Sequence, residues 1–129
     1  MVNGAMAPRV MTKVTMYGYR ACSTCRKAAA YLQRREIAFD EIDITTSPPP
    51  RSLLQALVTS GACQMTDLLN RSGELYRVLN MKERLKTLRD AEVLDLLAAH
   101  GRLIKRPIIT DGTRSTVGFD ERRMRAVWG

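Results

Sequence analysis

No long apolar run occurs in this sequence: the longest last a few residues before a charge interrupts them. A helix needs about 20 apolar residues to cross a bilayer, so a membrane-spanning helix is excluded. The opening segment MVNGAMAPRV also lacks the apolar core of a secretory signal. Residues 1–11 are therefore expected to be a disordered leader, and the cytoplasm is the expected compartment. Cysteine is sparse, at three in 129 residues, while hydrophobic residues make up 45% of the chain. That is enough for one core without disulfide staples. A dense basic block is missing too, although Lys and Arg outnumber Asp and Glu by 21 to 13 and the net charge is +8. Basic residues are spread from Arg9 to Arg125, mostly among acids. This disfavours nucleic-acid binding as the main function. It fits a solvated basic surface, or one that attracts an anionic substrate.

What is present is an ordered succession of periodic segments. KVTMYG (13–18) has strand composition and is broken by Gly18. From Ser23 to about Arg35 the pattern is helical, with Cys25, Ala28, Ala29 and Leu32 on one face. AFDEIDI (38–44) alternates apolar and acidic residues and suits a second strand, giving a βαβ unit with parallel strands. TTSPPP (45–50) is a turn whose prolines can start a helix over 51–59, ended by Ser60-Gly61. Residues 64–100 carry only helical signals, the last in DAEVLDLLAAHG, where Asp90 can cap the start and Gly101 the end. RPIITDGTRSTVGF (106–119) reads as strand, Asp-Gly turn, strand, and DERRMRAVWG as a final helix capped by Asp120. The expected fold class is α/β: one thioredoxin-like domain over 12–129, with a mixed four-stranded sheet. A helical insertion, about 50–101, separates the βαβ unit from the C-terminal hairpin.

Chemistry concentrates in YRACSTCRKA (19–28), where Cys22 and Cys25 stand three positions apart at the strand-to-helix turn. A sulfur at a helix N-terminus faces unpaired N–H groups and the positive end of the macrodipole, both of which favour thiolate. Arg26, four positions after Cys22, lies on the same helical face and can help hold the anion. Cys22 is expected to attack, and Cys25, one turn further in, to resolve the mixed disulfide. Zinc is the competing reading, with Cys22, Cys25, Cys63 and His100 as a formal Cys3His set. No second closely spaced ligand pair follows, and a Cys-x-x-Cys pair in a βαβ setting is the redox arrangement. His100 reads as a histidine near a helix C-terminus, Cys63 as a semi-buried small residue or a third redox thiol. Trp128 is expected to pack the last helix onto the sheet.

The segments CSTCRKA, LLNRSGELYRVLN, LIKRPIITDG and VGFDE, in this order, resemble the arsenate reductase-like thioredoxin-fold family, which includes the Spx regulators. The resemblance runs from Lys13 to Arg125. It implies that Pro107 is a cis-proline beside the nucleophilic sulfur and that Arg106 binds an anion there. Arg71, in NRSG, falls where the family often carries another basic residue. Cys22, Arg26, Arg71 and Arg106 would then surround one site for a tetrahedral oxyanion.

Two departures qualify what the resemblance implies. Glutaredoxin-linked arsenate reductases usually have serine at the position of Cys25 and a further arginine where this chain has TVGFDE. Cys-x-x-Cys and VGF are nearer to the Spx regulators and to reductase-like family members. The expected function is a thiol-dependent reductase acting on an oxyanion or a disulfide. It would be monomeric and hold no bound cofactor, with glutathione, glutaredoxin or thioredoxin as external reductant. The alternative is an Spx-like redox-switched regulator. Its partner would be the C-terminal domain of the RNA polymerase α subunit, with Gly61 near the glycine of that contact.

Overall fold

The computed structural model describes residues 13–129, so the leader expected for 1–11 lies outside the described residues. Strand β1 (Val14–Gly18) buries Val14, Met16 and Gly18 and half-exposes Thr15 and Tyr17, the two-residue period of a strand. Helix α1 (Ser23–Arg34) follows, and then β2 (Phe39–Asp43), parallel to β1 with Gly18 opposite Asp43. The helical stretch predicted for 51–59 is α2 (Arg51–Thr59). A 3-10 turn (Met65–Leu68), α3 (Glu74–Val78), α4 (Met81–Arg84), α5 (Asp90–Ala99) and a second 3-10 turn (Gly101–Leu103) complete the insertion. Strands β3 (Ile108–Thr110) and β4 (Ser115–Val117) form the hairpin, and α6 (Glu121–Trp128) closes the chain. Strand order is β2-β1-β3-β4, with β3 antiparallel to both neighbours. This is the thioredoxin-like fold.

Two cores lie on opposite faces of the sheet. Ile44, Leu54, Leu57, Leu97, Ile104 and Ile108 belong to the one under the helical insertion. Val14, Met16, Ala28, Leu32, Ile109, Met124 and Trp128 belong to the one under α1 and α6. Ile108 and Ile109 are consecutive, so a single strand supplies both cores. The α1 face differs from its sequence expectation at two positions: Tyr31 is buried and Ala29 only half-buried. Tyr31 turns in because its ring meets Phe119 edge-on at 6.5 Å and its hydroxyl donates to the Gly129 carbonyl at 3.2 Å.

Three further details depart from expectation within the insertion. Helix α5 is capped by Arg89, whose N–H is accepted by Glu92 at 2.9 Å; Asp90 is its first helical residue. Gly101 does not end α5, which stops at Ala99 with His100 as C-cap. It opens the second 3-10 turn, where a β-carbon would overlap the Ile44 carbonyl. Helix α4 has no distinct signal of its own in the sequence, and it starts after Asn80 in a left-handed conformation (φ 53°). Among the described residues no helix is long and apolar enough to cross a membrane.

Candidate active site

Cys22 is the N-cap of α1. Its backbone is extended (φ −85°, ψ 118°) and its Sγ accepts the Cys25 N–H at 3.4 Å, where helices commonly use a side-chain oxygen. The Cys22 N–H donates to the Tyr19 carbonyl at 3.0 Å, which fixes the turn after β1. A half-buried sulfur is thus held at the positive end of a twelve-residue helix. Cys25 is 2% exposed, and its Sγ accepts the Tyr19 N–H at 3.4 Å. Gly18 packs closely on the buried thiol: a β-carbon there would stand 3.1 Å from Cys25 Sγ, tighter than an ordinary contact.

The two thiols are driven apart in acidity. Burial raises Cys22, but hydrogen bonds from the Cys25 side chain and N–H, and the hydrogen bond and charge of Arg106, outweigh it. The Cys22 thiol therefore lies below its ordinary value. Burial and the neighbouring Cys22 push Cys25 up to about 12, against the opposing pull of the Tyr19 N–H. Cys22 is thus the more acidic of the two thiols and Cys25 stays protonated at neutral pH, a difference that an attacking and a resolving thiol would need.

Arg106 arrives from the loop before β3, and its bond to the buried Pro107 is cis, as the resemblance implied. Its guanidinium lies over the Tyr19 ring, 5.4 Å from the centroid, while also acting on Cys22. Arg26 is placed differently from the expectation: it is exposed, and its Nη1 donates to the Arg20 carbonyl at 3.1 Å. The guanidinium seen to lower Cys22 is that of Arg106. Arg71 is exposed in the turn before α3, and the cleft of about 260 Å³ beside Arg106 is lined instead by Asn70 and Arg102. Arg102 and Tyr19 were missed in the sequence because only the folded turns set Arg102 in that cleft and the Tyr19 N–H against Cys25 Sγ.

The sequence model of the ArsC family matches residues 17–127. The chain belongs to the ArsC family. Among curated relatives, the uncharacterized protein YusI of Bacillus subtilis is 42% identical over 115 residues, covering 89% of this chain and 98% of its own. The global transcriptional regulator Spx of Streptococcus pneumoniae is 31% identical, over 88% of this chain and 84% of its own. Among solved structures, an ArsC family related protein from Bacteroides fragilis matches with a TM-score of 0.83 at 30% identity, over 88% of this chain and 96% of its own.

Within this ArsC-family site the remaining candidates fall outside the cysteine turn. Cys63 is half-buried, and burial together with the Asp67 carboxylate pushes its thiol up to about 11, so it stays protonated at neutral pH. His100 is exposed at the end of α5. Among the described residues no group of three or more His, Cys, Asp or Glu side chains is placed to hold a metal ion, so the Cys3His set is not assembled. Trp128 is 6% exposed on the sheet, with Nε1 donating to Thr116 Oγ1 at 3.1 Å.

Proposed function

We propose that this ArsC-family chain is a thiol-dependent reductase in which Cys22 is the nucleophile and Cys25 the resolving thiol. The observation that carries this reading is the placement of Cys22 Sγ, capping α1 under the Arg106 guanidinium, with a buried partner thiol held protonated. With arsenate, the Cys22 thiolate attacks arsenic; an S–As bond forms, an As–O bond breaks, and the oxygen leaves protonated as water. Arg106 and the free N–H groups of the first turn of α1 stabilise the oxyanion during this step. Covalent capture removes the Cys22 charge that opposed ionisation of Cys25. Cys25 then gives up its proton and attacks Cys22 Sγ. The S–S bond forms as the S–As bond breaks, and the electron pair leaves with arsenic as arsenite. Glutathione, glutaredoxin or thioredoxin returns the disulfide to the dithiol.

The test is a single turnover under anaerobic conditions, with thiols read by mass spectrometry. Arsenate should produce a Cys22–Cys25 disulfide, or a Cys22 adduct in Cys25→Ser, and neither in Cys22→Ser. A second reading has its own support: the Spx relative is a transcriptional regulator and matches along 88% of the chain. In that case the same disulfide is a switch, and the partner is the C-terminal domain of the RNA polymerase α subunit. Gly61, which the resemblance puts near the glycine of that contact, is exposed just after α2 with φ +83°. If arsenate leaves the thiols untouched while a mild disulfide oxidant closes them and changes retention on that domain, the regulator replaces the enzyme.

A further inference from the structure

Tyr19 lines two clefts. One is walled by Glu41, Asp43 and Arg20. The other, of about 260 Å³, holds Arg102, Arg106 and Asn70 together with the apolar side chains of Leu75 and Val78. Arg106 is already committed, to Cys22 and to the Tyr19 ring. Arg102 is not: among the described residues its exposed guanidinium has neither a hydrogen bond nor an ion pair. Glu74 is an acid on the same wall, beyond ion-pair distance of Arg102. Tyr19 and Val78, 37% and 69% exposed, are the exposed large hydrophobic side chains of the described chain, and both face this one cleft.

A bare tetrahedral oxyanion bound at Cys22 and Arg106 has no apolar part to cover Leu75 and Val78. An organic molecule with an anionic end has one, and its charge can meet Arg102. We propose that this cleft is the substrate subsite for a small organic disulfide bearing a carboxylate. The carboxylate pairs with Arg102, whose carbonyl accepts from the Asn70 amide at 3.4 Å, and the carbon skeleton lies on Leu75, Val78 and Tyr19. The inference rests on the reading of Cys22 as nucleophile. The Cys22 thiolate attacks one sulfur, forming a mixed disulfide, and the other half leaves as a thiolate that takes a proton. Cys25 gives up its proton and attacks Cys22 Sγ, expelling the second half as a thiolate that is likewise protonated. The substrate disulfide is reduced to two thiols and the protein dithiol is oxidised to its disulfide.

The probes are 3,3′-dithiodipropionate and bis(2-hydroxyethyl) disulfide, which differ in a carboxylate against a hydroxyl. Reduced protein carrying Cys25→Ser, which cannot resolve the mixed disulfide, is mixed with each in excess, acid-quenched, and the rate of Cys22 modification read by intact mass and peptide mapping. The measured quantity is the ratio of the anionic to the neutral rate constant. Arg102→Gln should lower this ratio by about 1.5- to fivefold, the range of one exposed charge pair. Arg102→Lys should restore part of it, Glu74→Gln should raise it, and added salt should shrink all these differences. Arg122→Gln, the same loss of charge on α6, is the control for net charge alone. An unchanged ratio in Arg102→Gln, or an equal fall in Arg122→Gln, overturns the subsite while leaving Cys22 as nucleophile. Failure of both disulfides to modify Cys22 in the parent protein overturns the nucleophile reading itself, and the subsite with it.

Discussion

At the scale of single residues, the site depends on which arginine reaches the sulfur. Sequence spacing selects Arg26, since residues four apart share a helical face. That rule places α-carbons, not the ends of long side chains, and the Arg26 guanidinium turns back to the Arg20 carbonyl. Arg106 takes the role because the turn before β3 delivers it over Tyr19 and onto Cys22. The two can be separated by the pH dependence of alkylation. Iodoacetamide attacks thiolate, so the rate at Cys22 falls as pH drops through its lowered pKa and levels off above it. Removing a cation disfavours the thiolate, so Arg106→Gln should move the midpoint upward, and Arg26→Gln should move it less. If Arg26→Gln gives the larger shift, the assignment of the anion-holding guanidinium is wrong. The Cys22–Cys25 pair was readable in the sequence because it is a local pattern, and Arg106-Pro107 because the family resemblance pointed to it. Arg102 carries no local signal: nothing around it in GRLIK distinguishes it from a surface arginine until α5 and the following 3-10 turn set it beside Asn70.

Elements with one dominant periodicity were legible, and those set by a close approach were not. The strand at 13–18, the helix at 51–59, the Asp111-Gly112 hairpin and the last helix all appear where pattern and turn chemistry place them. Asp120 caps that last helix, accepting from the Arg122 and Arg123 N–H groups at 2.9 and 3.4 Å. Asp120→Ala should therefore lower stability by about 1 kcal/mol in urea titration. The end of α5 is the contrary case. Gly101 looks like a helix terminator by composition, yet its defining contact is the Ile44 carbonyl, which belongs to the segment leaving β2. No pattern within the helix can announce a contact with another part of the chain. Gly101→Ala should cost about 1–3 kcal/mol, the range of overpacking, rather than stabilise as a glycine-to-alanine change at a relaxed site would. Unchanged or raised stability would show that the two segments can part without loss.

For the whole molecule, one four-stranded sheet carries two cores, and this decides how the structure should fail. Ile108 is fully buried on the side of the insertion and Ile109 fully buried on the side of α1 and α6. Neither core can be lost without exposing a strand of the other, so unfolding is expected to be a single transition. Trp128, the sole tryptophan, reports the α6 side by fluorescence, while helices α2 and α5 on the far side contribute to far-ultraviolet circular dichroism. Leu97 lies in α5, fully buried in the core remote from Trp128. Leu97→Ala should destabilise by about 2–5 kcal/mol, and the fluorescence and dichroism midpoints should fall together. A dichroism midpoint that falls while the Trp128 transition stays in place would mean that the helical insertion unfolds alone. The cleft beside Arg106 would then be the mobile part, since Leu75 and Val78 come from the insertion. Cys22, Cys25 and Tyr19 would keep their geometry, because α1 and β1 belong to the surviving half. Iodoacetamide reactivity of Cys22, measured between two such separated midpoints, would distinguish a site intrinsic to the βαβ unit from one that needs Arg106 held in place.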